Sequence, residues 1–154
     1  MARRLDADRA GRGRRGDPQW WHARRHARGG RLVGCAFVRP LDAATADLGL
    51  LAAAPERWGA GVGRELVRSA EELMRSGGVN AMQLELLVPK EWVHPEKARL
   101  HAWYTRLGYQ VVRVAAFEEA AAHLASQLAT PCEFLVLRKR LGNASPPSLH
   151  RSRT

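Results

Sequence analysis

The stretch LGLLAAAPERWGAGVGRELV, Leu48 to Val67, runs from an apolar segment through Pro55 to three glycines, Gly59, Gly61 and Gly63, and on into a helical pattern. Glycines let a backbone approach a ligand closely, and the unpaired N–H groups of a helix start point at negative charge with the helix dipole behind them. The layout therefore predicts an anion site, most simply for phosphate. A glycine triplet is also the composition of a tight turn, and the loop alone does not say which phosphate it takes. Two common phosphate loops are excluded. No Lys followed by Ser or Thr comes after the last glycine, so a P-loop does not fit; and a hairpin precedes the loop, whereas in a dinucleotide βαβ unit this loop opens the chain.

Upstream, Arg31 to Val38 and Asp47 to Ala53 read as strands joined by a short polar turn, and Trp20 to Ala27 as a further strand set off by Gly29 and Gly30. Downstream, Val62, Leu66, Val67, Ala70, Leu73 and Met74 fall on one helical face that Gly77 and Gly78 stop. Met82 to Val88 alternates as a strand ended by Pro89. Pro95 opens a second helix whose Leu100, Trp103, Tyr104 and Leu107 share a face, closed by Gly108. A strand over Tyr109 to Ala115, a helix over Glu118 to Leu128 and a strand over Cys132 to Leu137 complete the order. The fold class is α/β in the mixed α+β sense: a mixed, mostly antiparallel sheet flanked by helices.

A chain of 154 residues builds one domain around one core. Its net charge of +10 suggests nucleic acid until the charge is located. Residues 1–31 hold ten arginines against Asp6, Asp8 and Asp17, for +7; residues 138–154 hold five Lys or Arg and no acid, for +5; the middle carries −2. The expected organisation is a basic arm over 1–17, a domain over 18–141 and a basic tail over 142–154, both ends having the composition of solvated segments. No RNA-binding aromatic motif or zinc-finger spacing accompanies the arginines, so nucleic acid is not the expected partner. The longest apolar run, Leu48 to Ala54, is far short of the roughly 20 residues that span a bilayer. No apolar stretch follows the N-terminal charges as a signal peptide requires, and a cytoplasmic location is the default. Cys35 and Cys132 sit in apolar, strand-like segments and indicate no disulfide framework. His94 and His101 have no further ligand at metal spacing, so no metal is expected.

The loop resembles the acetyl-coenzyme A signature of the GNAT superfamily of N-acetyltransferases, Q/R-x-x-G-x-G/A after a strand and a proline. Gly61 and Gly63 fall on its two glycine positions; Trp58 stands at the Gln or Arg position, with Arg57 one residue early. WYTRLGYQVV, Trp103 to Val112, resembles the family's second motif at a helix-to-strand junction, and the resemblance covers roughly Arg31 to Leu141. It implies acetyl-coenzyme A as co-substrate, with pantetheine on Leu51, Ala52 and Ala53 and the pyrophosphate on Trp58, Gly59, Ala60, Gly61, Val62, Gly63 and Arg64, Arg57 and Arg64 adding charge. It also implies Tyr104 as general acid to the departing thiolate, and Asp47 or Glu85 as a base acting through water. Read alone, Tyr104 is an ordinary core aromatic and the two carboxylates are solvated strand residues.

PKEWVHPEKARLH, Pro89 to His101, lies where the acceptor would enter, and Trp92 and His94 are the candidate lining residues; read plainly, Trp92 anchors the loop and His94 caps a helix. The expected reaction is acetyl transfer to a primary amine of a small molecule or peptide by direct attack. In the family the N-terminal region closes over the acceptor, and here that region is short and arginine-rich, so the acceptor stays open among amino acid, polyamine, antibiotic and protein N-terminus. A homodimer is open too. The rival reading is a noncatalytic module that binds coenzyme A, or that binds nucleic acid or an acidic partner through its arginine-rich ends.

Overall fold

The computed structural model describes residues 22–142. One six-stranded sheet holds β1 (His22–Arg28), β2 (Arg31–Pro40), β3 (Thr45–Ala53), β4 (Ala81–Pro89), β5 (Gln110–Ala116) and β6 (Cys132–Arg140) in the order β1-β2-β3-β4-β6-β5. Neighbours run antiparallel except β3 and β4, which are parallel. Helices α1 (Val62–Ser76), α2 (Pro95–Arg106) and the short α3 (Phe117–Ala121) flank it. This is the mixed, mostly antiparallel sheet that the sequence implies. No helix among the described residues is long and apolar enough to cross a membrane. The expected basic arm, 1–17, and all of the expected tail, 142–154, except Gly142 lie outside the described residues, as do Trp20 and Trp21 of the first expected strand.

The α1 periodicity translates directly into packing: Val62, Leu66, Val67, Ala70 and Met74 are all buried, against Ala36 and Val38 of β2 and Ala46 and Leu48 of β3 in a single core cluster. Gly34 lets α1 settle there. A Cβ on Gly34 would stand 2.7 Å from Val62 Cγ1, 2.9 Å from Leu66 Cδ1 and 3.0 Å from the Ala52 carbonyl oxygen. The β2–β3 turn is tied by Asp42, whose Oδ1 accepts from the N–H groups of Ala44 and Thr45 at 2.7 Å each. Those two bonds hold its carboxyl below the usual carboxylate range.

Two elements depart from expectation. The expected helix over Glu118–Leu128 is five residues of α-helix followed by a 3-10 segment, Ala122–Gln127, with Ala121, the last residue of α3, at φ −151°. Only Phe117, stacked on Phe134 at 5.6 Å, is buried, and a segment without an apolar stripe gains nothing by continuing as a helix. The last strand runs three residues past Leu137, to Arg140, because β4 pairs with it along its whole length.

Candidate functional site

The anion loop is built by three backbone turns. A 3-10 turn, Pro55–Arg57, follows β3, and within it the N–H groups of Arg57, Trp58 and Ala60 donate to the carbonyls of Ala54, Pro55 and Arg57. Gly59 and Gly61 take φ of +80° and +84°, which only glycine adopts readily. Gly61 caps α1, whose first internal bond is from Glu65 N–H to the Gly61 carbonyl at 3.0 Å. The N–H groups of Gly59, Gly61, Val62, Gly63 and Arg64 thus have no backbone partner among the described residues. Four consecutive donors converge at the positive end of a fifteen-residue helix, with exposed Arg57 and Arg64 beside them.

Next to this loop the sheet opens. β3 pairs with β4 only over Thr45–Ala81, Ala46–Met82 and Asp47–Gln83, yet β2 stays paired with β3 to Ala53 and β6 with β4 to Pro89. Beyond Asp47 and Gln83 the facing edges of β3 and β4 therefore diverge and leave a wedge of unpaired backbone. A bulge bends β3 at its middle: Phe37 pairs with Leu50 and Val38 with Leu48, so Gly49 is an extra residue. Ala54 N–H bonds Val33 of β2 at 2.8 Å. Backbone direction alternates along a strand, so Ala53 and Leu51 address the wedge while Ala52 addresses β2. The indole of Trp58, 72% exposed, folds back to donate from Nε1 to the Ala53 carbonyl at 3.1 Å.

Tyr104 comes from α2, which packs on β4. Its ring meets Trp103 edge to face at 4.8 Å and Tyr109 at 5.9 Å, and the tip of Trp103 lies where a Cβ on Gly63 would be 3.4 Å away. A line of contacts therefore joins the anion loop to the tyrosine. Burial pushes the Tyr104 phenol up to about 12, and its hydroxyl makes no hydrogen bond among the described residues. Asp47 lies at the mouth of the wedge, 3.6 Å from Arg39 Nε, and burial raises its carboxyl above the usual range against the pull of that guanidinium. Glu85, exposed, sits two residues beyond Gln83 on the diverging part of β4.

Trp92 and His94 stand side by side, with ring centroids 5.5 Å apart. Trp92 Nε1 donates to Thr130 Oγ1 at 3.2 Å, and His94 Nδ1 accepts from Glu96 N–H at 3.2 Å as the cap of α2. The plain readings of both, anchor and cap, hold alongside their candidacy. Sequence reasoning missed a partly buried polar cluster behind Tyr104. Glu71 of α1 accepts from the Tyr109 hydroxyl at 2.9 Å and from Lys139 Nζ at 3.0 and 2.9 Å. One signal was available: Lys139 alternates with the apolar Leu137 and Leu141, so it lies on the core face. Among the described residues no three His, Cys, Asp or Glu side chains gather as a metal site requires.

Comparisons with known proteins agree with this geometry. No curated protein matches the sequence. Among solved structures, a GNAT family acetyltransferase from Elizabethkingia anophelis with acetyl-CoA bound aligns with a TM-score of 0.63 at 12% identity, covering 79% of this chain and 76% of that one. The ribosomal-protein-S18-alanine N-acetyltransferase from Escherichia coli aligns at 0.61 and 16%, covering 87% and 77%. An aminoglycoside 6'-N-acetyltransferase complexed with coenzyme A aligns at 0.65 and 15%, covering 82% and 76%. At such identities the likeness is one of fold. The family model described as acetyltransferase (GNAT) family matches residues 2–109. Because that match runs through the glycine loop to Tyr109 over more than half of the chain, this protein belongs to the GNAT family of acetyltransferases.

Proposed function

We propose that the protein moves an acetyl group from acetyl-coenzyme A to the primary amine of a small molecule or peptide by direct attack. The observation that carries this is the coincidence of two unsatisfied backbone surfaces: the donors of Gly59 and of Gly61 to Arg64, and the open edge of β3 in the adjoining wedge. A pyrophosphate fits the first, since anions are stabilised at helix N-termini. An amide-bearing pantetheine arm fits the second as a substitute strand, with Leu51 and Ala53 as its backbone partners and Ala52 presenting only its side chain. The Ala53 carbonyl can accept from both the Trp58 indole and such an amide, because it has two lone pairs.

The thioester supplies an activated acyl carbon; an amine nitrogen bonds to it, the C–S bond breaks, and the amine's spare proton leaves through Asp47 or Glu85 and water. Asp47 suits that task because its burial favours holding a proton. Tyr104 answers the other half of the balance. Its raised pKa means that it always carries its proton, which it can give to the departing sulfur. Against an ordinary thiol, near 8.5, that transfer runs uphill, but a sulfur held out of water beside the Tyr104 phenol would have its own pKa raised, which narrows the gap. Trp92 and His94 flank the acceptor's approach in this reading.

The test is thiol release from acetyl-coenzyme A across an amino acid, a polyamine, an aminoglycoside and a peptide with a free N-terminus, beside a thermal shift with coenzyme A. Amine-dependent thiol release and a raised Tm are expected. The reading fails if ATP or NAD raises the Tm where acetyl-coenzyme A and coenzyme A do not, or if coenzyme A binds but no amine accelerates thiol release above hydrolysis.

A further inference from the structure

The Lys139–Glu71–Tyr109 cluster has no part in the chemistry above and is costly to bury. Tyr109 is fully buried, and the side chains of Glu71 and Lys139 keep only 13% and 27% of their exposure. Removing two charges from water carries a desolvation penalty that apolar side chains of similar size would avoid. Burial, and then the neighbouring Glu71 carboxylate, push the Tyr109 phenol far above its ordinary range, so it is a permanent donor to that carboxylate. The cluster also joins three elements: Glu71 from the middle of α1, Lys139 from β6, and Tyr109 from the α2–β5 junction. Even Gly108, at φ +97°, contributes clearance, since a Cβ there would meet the Lys139 stem at 3.4 Å.

Tyr109 in turn holds Tyr104 in two ways. Its N–H donates to the Tyr104 carbonyl at 3.1 Å, closing the C-terminus of α2, and its ring stands edge to face against the Tyr104 ring. The Tyr104 hydroxyl has no hydrogen-bond partner of its own among the described residues, so nothing polar fixes its direction; ring packing does. Tyr109 is one side of that packing and Trp103, resting over Gly63, is the other.

We propose that Glu71 and Tyr109 are positioning residues: Glu71, neutralised by Lys139, fixes Tyr109, whose ring and backbone fix the direction of the Tyr104 hydroxyl relative to the loop at the head of the same helix α1. This rests on the reading of Tyr104 as proton donor to the leaving sulfur. The cluster sets the distance between the helix that binds the phosphate and the phenol that serves the sulfur, and misplacement by about 1 Å is enough to cost rate.

The experiment uses the full chain and four variants: Tyr109→Phe, which removes one hydroxyl and leaves the ion pair; Glu71→Gln, which keeps an acceptor for the phenol; Glu71→Met, which keeps none; and Tyr104→Phe. Glu72→Gln is the control, since Glu72 lies on the exposed side of α1, paired with Arg75. Thiol release from acetyl-coenzyme A is followed with the most active amine of the panel. Tyr109→Phe is expected to lower kcat about tenfold with the KM for acetyl-coenzyme A within about twofold. Glu71→Met should exceed Glu71→Gln in its effect, because the amide oxygen can still accept from Tyr109. A second readout needs no turnover. The chain holds two tyrosines, so ring-labelled tyrosine gives two NMR signals, and both Glu71 variants should move the Tyr104 signal although Glu71 has no hydrogen bond to it. An unchanged kcat in folded Tyr109→Phe, or a Tyr104 signal indifferent to Glu71, overturns the positioning role alone if Tyr104→Phe is still slow. A Tyr104→Phe variant with full activity overturns both it and the proton-donor reading.

Discussion

Gly34→Ala tests whether the packing of α1 sets the geometry of the anion loop. The added methyl would sit 2.7 Å from Val62 Cγ1 and 2.9 Å from Leu66 Cδ1, well inside the ordinary carbon–carbon contact of about 3.5–4.0 Å. Neither side chain can yield, since Val62 is 1% exposed and Leu66 0%. The Ala52 carbonyl at 3.0 Å closes the third direction. The head of α1 must therefore lift, at the cost typical of overpacking, about 1–3 kcal/mol. Val62 is the first residue of α1, so the same movement displaces the N–H groups of Gly61 to Arg64. Hydrogen bonds to charged groups are worth about 1.5–3 kcal/mol each, and spoiling the alignment of one weakens coenzyme A binding by about tenfold. Thermal unfolding and calorimetric titration with coenzyme A measure the two effects. Gly142→Ala, where an added methyl meets nothing within 4 Å, is the neutral control. A lowered Tm with unchanged coenzyme A affinity would show that the loop holds its shape independently of the β2–α1 contact, and an unchanged Tm would refute the packing argument itself.

Other substitutions separate backbone, chemistry and charge. Gly61→Ala meets no neighbour within 4 Å but forces alanine to φ +84°, so about 1–2 kcal/mol of stability should be lost through conformation alone, with weaker coenzyme A binding. Tyr104→Phe should lower turnover by on the order of 10²-fold while Tm and coenzyme A affinity stay near the parent values, because the hydroxyl it removes has no protein partner among the described residues. The Asp47 carboxyl is raised above its unfolded value of 3.8, so its contribution to stability is fully present below 3.8 and is lost as pH rises through the folded pKa. The Tm of Asp47→Asn relative to the parent should therefore become more favourable as pH rises above 3.8, and a change in the opposite direction would mean that the Arg39 pair outweighs burial.

The parts of this molecule legible in the sequence are those with a strong local period. The spacing from Val62 to Met74 left α1 no alternative to burying that face, and the positive φ of Gly59 and Gly61 is what glycine at a phosphate loop foretells. The wedge was not legible, because it arises from one extra residue, Gly49, that bends β3 away from β4, and a period-two reading cannot see which strand will carry a bulge. Leu100, expected on the buried face of α2, is 39% exposed among the described residues, since that helix is held chiefly through Tyr104. The donors of the loop needed coordinates as well. Trp58 and Ala60 stand inside the motif, but their N–H groups are consumed by the 3-10 turn that presents the others.

Under the proposed function and the positioning role of Glu71, α1 has three tasks along its length. Its head presents the donors, its buried face locks onto β2 through the clearance at Gly34, and Glu71 at its middle reaches Tyr109 and through it Tyr104. In the proposed mechanism the donor loop and Tyr104 are thus referenced to one rigid element, as a reaction sensitive to about 1 Å requires. The candidate acceptor residues are placed differently. Trp92 is tied by a single hydrogen bond to Thr130 on another loop, and His94 is committed to capping α2. Loops on a rigid scaffold tolerate change where packed elements do not. If the proposed function holds, substitutions at Trp92 should alter the choice of amine while leaving coenzyme A binding unchanged, whereas substitutions along the core face of α1 should act on both halves of the reaction together.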